Sequence, residues 1–97
     1  MTYVDEIVDW GEVARAKGLR WTLWAHLIAD THVELVAMAT KLRLKSEWIQ
    51  KPGTPDEHFD LIPSKRIMAI KYGAIPVSHI DLGQIWIDIN ERGSYYG

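Results

Sequence analysis

Two helix-start signals in this chain each follow directly on an apolar run, and that pairing constrains the fold more than any other feature. Trp21 to Ala29 reads WTLWAHLIA, an apolar stretch free of Gly and Pro, which is a strand signature. Asp30 closes it. Thr31 and Glu34 then form a T-x-x-E capping box, each side chain satisfying a backbone N–H at the start of a helix. Leu35, Met38, Ala39 and Leu42 follow at i, i+3, i+4 and i+7 and make one apolar face. The same grammar recurs later. Ala74 to Val77 reads as a short strand, at or near a sheet edge because of Pro76. Ser78 and Asp81 cap a last helix with the face Leu82, Ile85, Trp86 and Ile89, ended before Gly93.

The remaining segments fit around these two units. Thr2-Tyr3-Val4 reads as a short strand ending at Asp5, and Ile7, Trp10, Val13 and Ala14 have helical spacing up to Gly18. Glu47 to Gln50 is a short strand candidate running into the loop Lys51-Pro52-Gly53-Thr54-Pro55. His58 to Asp60 is extended in this reading, and Pro63 suits the first position of a helix that stops at Gly73. Strands alternating with helices predict one α/β domain over residues 1–97. Its sheet is expected to be small and mostly parallel, with three or four strands, three or four covering helices and a loose tail at 94–97.

Composition narrows the function classes. The absence of cysteine excludes a disulfide scaffold, a thiolate zinc site and a cysteine nucleophile. No stretch approaches the roughly 20 apolar residues of a membrane span, and the opening MTYVDEIVDW lacks a basic n-region, so a cytoplasmic location is expected. A net charge of −2 argues against a dedicated duplex nucleic-acid binder. Seven of the eleven basic residues nevertheless fall between Lys41 and Lys71, which suits a small anionic ligand.

In open parallel sheets, ligands bind beyond the carboxyl ends of strands. Those ends are Asp5, Asp30, Gln50 with its loop, and Ser78-His79. His26 and Asp30, four apart on a strand, share a face, and so do His58 and Asp60. Such a set can hold a divalent metal or run acid–base chemistry, although no HExxH or equivalent ligand pattern is present. The plainer alternative makes His26 a core histidine and Asp30 part of the next helix cap. Ser64, Lys65 and Arg66 fall in the first turn of a helix, where N–H groups, a hydroxyl and two cations would cradle a phosphate. The alternative there is a solvated surface turn. Of five tryptophans, Trp86 reads as core, one of Trp21 and Trp24 as core, and Trp48 as a residue able to stack on a base or sugar.

Tyr3-Val4-Asp5, Trp24 to Thr31, Glu34-Leu35, Trp48 to Gln50, His58 to Arg66 and Gly73-Ala74 together form a pattern. It resembles a small family of bacterial and phage proteins classed as a domain of unknown function. The stretch from Glu6 to Arg20 is longer than that family's usual connection, and residues 79–97 match nothing in it. The resemblance implies a bacterial or phage cytosolic protein of about this length. Some relatives are joined to phosphohydrolase-type domains, which implies a nucleotide or phosphate theme.

Three functions remain open at this point. The first is binding of a phosphorylated small molecule, with a nucleotide foremost. Ser64, Lys65 and Arg66 would take the phosphate, Trp48 and Gln50 the ring, and His26, Asp30, His58 and Asp60 the rest. The second is a phosphoesterase or nuclease in which Asp5, Asp30 and Asp60 hold Mg²⁺ or Mn²⁺ and His26 or His58 is the base. In the other two readings no cofactor is expected. The third is a protein-interaction module, a homo-oligomer formed through the Trp86 helix or the sheet edge.

Overall fold

A computed structural model describes residues 1–9, 11–18 and 23–97 of the chain. Trp10, the strand start at Trp21 and the core role considered for Trp21 lie outside the described residues. The elements are β1 (Thr2–Val4), β2 (Val8–Asp9), α1 (Gly11–Ala16), β3 (Leu23–Ala29), α2 (His32–Lys41), β4 (Phe59–Leu61), α3 (Pro63–Lys71), β5 (Ile75–Pro76) and α4 (His79–Arg92).

The fold is α/β, with a mixed five-stranded sheet. β3 is its centre: β1 and β4 flank it, β5 lies outside β1, and β2 continues along β3 beyond β1. Only β1 and β5 pair in parallel, so the sheet is mostly antiparallel and not mostly parallel as the strand–helix alternation suggested. The physical reason is the segment between α2 and β4. Glu47 to Gln50, expected as a strand, is a 3-10 turn at Ser46–Trp48 followed by a single antiparallel bridge from Gln50 to His58. That long connection gives the chain a second traverse after the helix, so β4 enters beside β3 running the opposite way.

Local signals placed the helices. Thr31 Oγ1 accepts from the backbone N–H of Glu34 at 3.3 Å and caps α2, while the Glu34 carboxylate accepts from the Thr31 hydroxyl at 2.9 Å in place of the backbone N–H that a full capping box would use. Ser78 Oγ accepts from Asp81 N–H at 3.1 Å and starts α4. Gly93 ends α4 in the left-handed region (φ 67°), where a Cβ would be strained. Pro63 opens α3 at its first position.

Alternation along the strands divides the molecule into two cores. Leu27 and Ala29, with Val4, Phe59 and Leu61, face α2 and α3 and pack on Leu35, Met38, Leu42 and Ala69. Ile28 faces the other side and packs under Leu82 and Ile89 of α4. The tail expected to be loose is held instead, with Tyr95 only 3% exposed in the second core. No helix among the described residues is long and apolar enough to cross a membrane.

Candidate functional site

The site follows from one irregularity in the central strand's pairing. Val4 pairs with Leu27 and Val8 with Trp24, so Asp5, Glu6 and Ile7 face only Ala25 and His26. One extra residue makes a β-bulge, which interrupts the ladder and re-aims a side chain. Here it re-aims Asp5. The His26 backbone N–H donates to Asp5 Oδ1 at 2.6 Å, and the Asp5 N–H donates to the His26 carbonyl at 3.3 Å.

Asp5 is 1% exposed and gathers two imidazoles. Nδ1 of His26 lies 2.8 Å and Nδ1 of His79 lies 2.7 Å from its Oδ2. Burial alone would raise the Asp5 carboxyl, but the His26 side chain and backbone N–H, with His79, outweigh it and hold the group below the usual carboxylate range. An ionised carboxylate only accepts, so both Nδ1 atoms carry hydrogen. The same bond to Asp5 raises His26 against the effect of burial, and Asp60 adds to it.

Across β3, His26 pairs directly with Asp60. Directly opposed antiparallel residues share a face, so Asp5, His26 and Asp60 form a row across three strands on the α4 side of the sheet. His58 stands two residues before Asp60 on that face. Its Nδ1 faces the Asp56 carbonyl at 2.9 Å, an acceptor, so Nδ1 carries the hydrogen. Burial pushes His58 down, outweighing the Asp56 carbonyl and Asp60, so the ring is neutral and Nε2 carries a lone pair. That Nε2 lies 3.5 Å from Asp60 Oδ1. Ring atoms of His26 and His58 and a carboxylate oxygen of Asp60 lie within 4.8 Å of one another, and a second such group, Asp5, His26 and His79, shares His26.

Trp86 walls the cluster, with its ring 5.1 Å from that of His58 and 6.2 Å from that of His26. Arg66 reaches in from α3, its Nε donating to the Asp5 carbonyl at 2.7 Å. Its terminal nitrogens have no partner among the described residues. His79 Nε2 and Trp86 Nε1 are likewise buried without a hydrogen-bond partner there.

Of the residues expected at a rim, Asp5, His26, His58 and Asp60 come together, and Arg66 meets them only at the Asp5 carbonyl. Gln50 joins their edge, since its bridge to His58 projects both side chains to one face. Asp30 does not. It shares the face of His26 but lies four residues along β3, about 14 Å away, bonded to the Tyr3 hydroxyl at 3.1 Å and facing Arg92 at 3.7 Å. A magnesium site on Asp5, Asp30 and Asp60 therefore does not assemble. Lys65 turns away too, its Nζ donating to the Leu42 carbonyl at 2.7 Å beyond the end of α2. The backbone N–H groups of Lys65 and Arg66 are taken by the Ile62 carbonyl, which leaves little of the expected phosphate cradle around Ser64. Trp48 is exposed on the 3-10 turn under Lys45 Nζ, 5.5 Å from its ring centroid.

Sequence reasoning placed His79 at a strand end without giving it a role, and it treated Trp86 as core. The available signal was that Asp5 and His79 follow the two strands that do pair in parallel, so the carboxyl-end rule held there.

The fold and site define a small mixed α/β domain carrying a histidine–aspartate cluster on the α4 face of its sheet. The chain belongs to the family described as a protein of unknown function (DUF4031), whose model matches residues 3–88 and so runs past Ser78 into α4. No curated protein and no solved structure matches the chain.

Proposed function

We propose that this domain binds a divalent transition-metal ion at His26, His58 and Asp60 and uses it to hydrolyse a phosphoester of a small molecule, such as a nucleotide, in the bacterial or infected-cell cytoplasm. One observation carries the reading. His58 Nε2 faces Asp60 Oδ1 across 3.5 Å, and with Nδ1 bonded to the Asp56 carbonyl the neutral ring, favoured by burial, turns a lone pair toward that carboxylate. A cation reconciles two acceptors so placed. Two ligand atoms each about 2.1 Å from a tetrahedral ion stand about 3.4 Å apart, which matches that gap.

The surroundings support the same reading. A carboxylate or carbonyl oxygen that accepts the far N–H of a ligand histidine is the usual support of such centres, and Asp5 does this for His26. The Asp56 carbonyl does it for His58. Two imidazoles and one carboxylate leave coordination positions open, as catalytic sites do, and favour zinc-class ions over magnesium. Such an ion supplies a water acidic enough to ionise near neutral pH. Arg66, tethered by its Nε to the Asp5 carbonyl, would take an anionic phosphate at the Asp5 edge of the cluster.

The test is metal content of the purified protein, followed by hydrolysis of p-nitrophenyl phosphate, its bis-ester and a nucleotide panel after reloading with Zn²⁺, Mn²⁺ or Mg²⁺. Activity should need Zn²⁺ or Mn²⁺, stop in EDTA, and be absent from His58→Ala. A protein that retains no ion and hydrolyses nothing after loading refutes the reading. A second reading rests on the opposite shifts of His26 (up) and His58 (down), whose rings stand 5.5 Å apart. Paired imidazoles of that kind are an acid and a base, and hydrolysis unaffected by EDTA would favour it.

A further inference from the structure

A second polar cluster lies behind the centre, and none of its members touches the candidate ligand atoms. Glu57 is 1% exposed, yet its carboxylate takes three donors. His32 Nδ1 and the Tyr95 hydroxyl (2.6 Å) meet Oε1, and the Tyr96 hydroxyl (2.8 Å) meets Oε2. The rings pack around it, with Tyr95 and Tyr96 edge to face at 4.9 Å and His32 tilted against Tyr96 at 4.9 Å. The Tyr95 carbonyl also accepts from the His32 N–H at 2.9 Å. A carboxylate so deep is stable only with its acceptor sites filled, and the two tyrosines are most of that filling.

Glu57 precedes His58, and side chains of neighbouring extended residues leave the backbone on opposite sides. Clamping the Glu57 carboxylate therefore fixes the peptide from which His58 projects. Asp56 is held as well, its Oδ1 accepting from Asn90 Nδ2 at 3.0 Å while its carbonyl orients the His58 ring. The family match ends at residue 88, so Asn90, Tyr95 and Tyr96 lie outside it, whereas Glu57 and His58 lie inside.

We propose that the C-terminal Tyr95–Tyr96 pair is the positioning device of the centre, clasping Glu57 so that His58 is held in ligating position. Release of the tail then weakens metal binding without altering any ligand. This inference rests on the metal reading given above. Tyr95 and Tyr96 are positioning residues and not ligands.

The experiment is calorimetric titration of the full-length chain with Zn²⁺, for the unaltered protein, Tyr95→Phe/Tyr96→Phe, Tyr96→Phe alone and Lys65→Ala. The double variant should bind about tenfold more weakly, within the range for loss of outer support at metal sites. Tyr96→Phe should lie between, and Lys65→Ala should bind as the unaltered protein does although it too is destabilised. Imidazole nitrogen NMR gives a readout that general destabilisation would not move: the His58 signals should broaden or average in the double variant while those of His79 persist. Affinity within twofold in both tyrosine variants, with sharp His58 signals, overturns the clasp and leaves the metal centre standing. If the double variant fails to fold, Tyr96→Phe, at a half-exposed position, carries the same test. No zinc bound by the unaltered protein overturns both proposals.

Discussion

Replacing Asp5 by alanine tests the junction on which the site's geometry depends, and its cost can be worked from the contacts. Three donors lose their acceptor: the His26 backbone N–H at 2.6 Å, His26 Nδ1 at 2.8 Å and His79 Nδ1 at 2.7 Å. The backbone group sits at the bulge with no ladder partner to return to, and a buried unsatisfied N–H costs about 1–3 kcal/mol. The two imidazole side chains are 25% and 39% exposed and can recruit water, so each adds only about 0.5 kcal/mol. Asp5→Ala should therefore lose about 2–4 kcal/mol. Asp5→Asn keeps one oxygen for the His26 N–H but turns an amide donor toward the imidazoles, and should lose about 1–2 kcal/mol. Urea unfolding followed by tryptophan fluorescence, in EDTA so that bound ions contribute nothing, gives both values from shifts in midpoint at constant slope. Equal losses in the two variants, or less than 1 kcal/mol in Asp5→Ala, would refute the account of the bulge as a carboxylate-bridged junction.

Other expectations follow from single contacts. Leu27→Ala, at a fully buried position of the central strand, should lose about 2–5 kcal/mol by cavity formation in the same urea assay. Lys65→Ala should lose about 1 kcal/mol with its bond to the Leu42 carbonyl, whereas Arg66→Ala should spare zinc binding and weaken inorganic phosphate binding about tenfold, both read by calorimetry. Arg43→Gly should gain about 0.5–1 kcal/mol, because Arg43 follows α2 with φ 57°, a conformation that glycine adopts without strain; unchanged stability would contradict this. Burial and the bond to Glu57 raise the Tyr95 hydroxyl, and burial with the bond to Asp30 raises Tyr3. A raised group gives stability that is fully present below the unfolded value near 10 and is lost as pH climbs above it. Urea midpoints should therefore fall between pH 9 and 11, with a smaller fall in Tyr95→Phe.

The helices were legible because their determinants lie within a few residues of one another. Thr31 with Glu34, Ser78 with Asp81, Pro63 and Gly93 each act on their own turn of backbone, and the apolar faces of α2 and α4 follow from spacing alone. Strand direction was not legible in this way. The traverse from Leu42 to His58 has the composition of a turn and a loop, and nothing local states that it spans the sheet. Glu57 was missed for a related reason. Its three donors come from positions 32, 95 and 96, and a glutamate beside a proline-rich loop reads as solvated surface.

What the sequence determined by itself is therefore which residues share a face: His26 with Asp30, and His58 with Asp60, by the period-two rule. Only the tertiary structure decided which of them are neighbours. A strand's alternation carries no information on register, and a one-residue bulge opposite His26, with β4 paired so that Asp60 meets it, moved Asp5, His58 and His79 into one cluster. The same pairing left Asp30 at the far end of the strand, where distance and not chemistry excludes it.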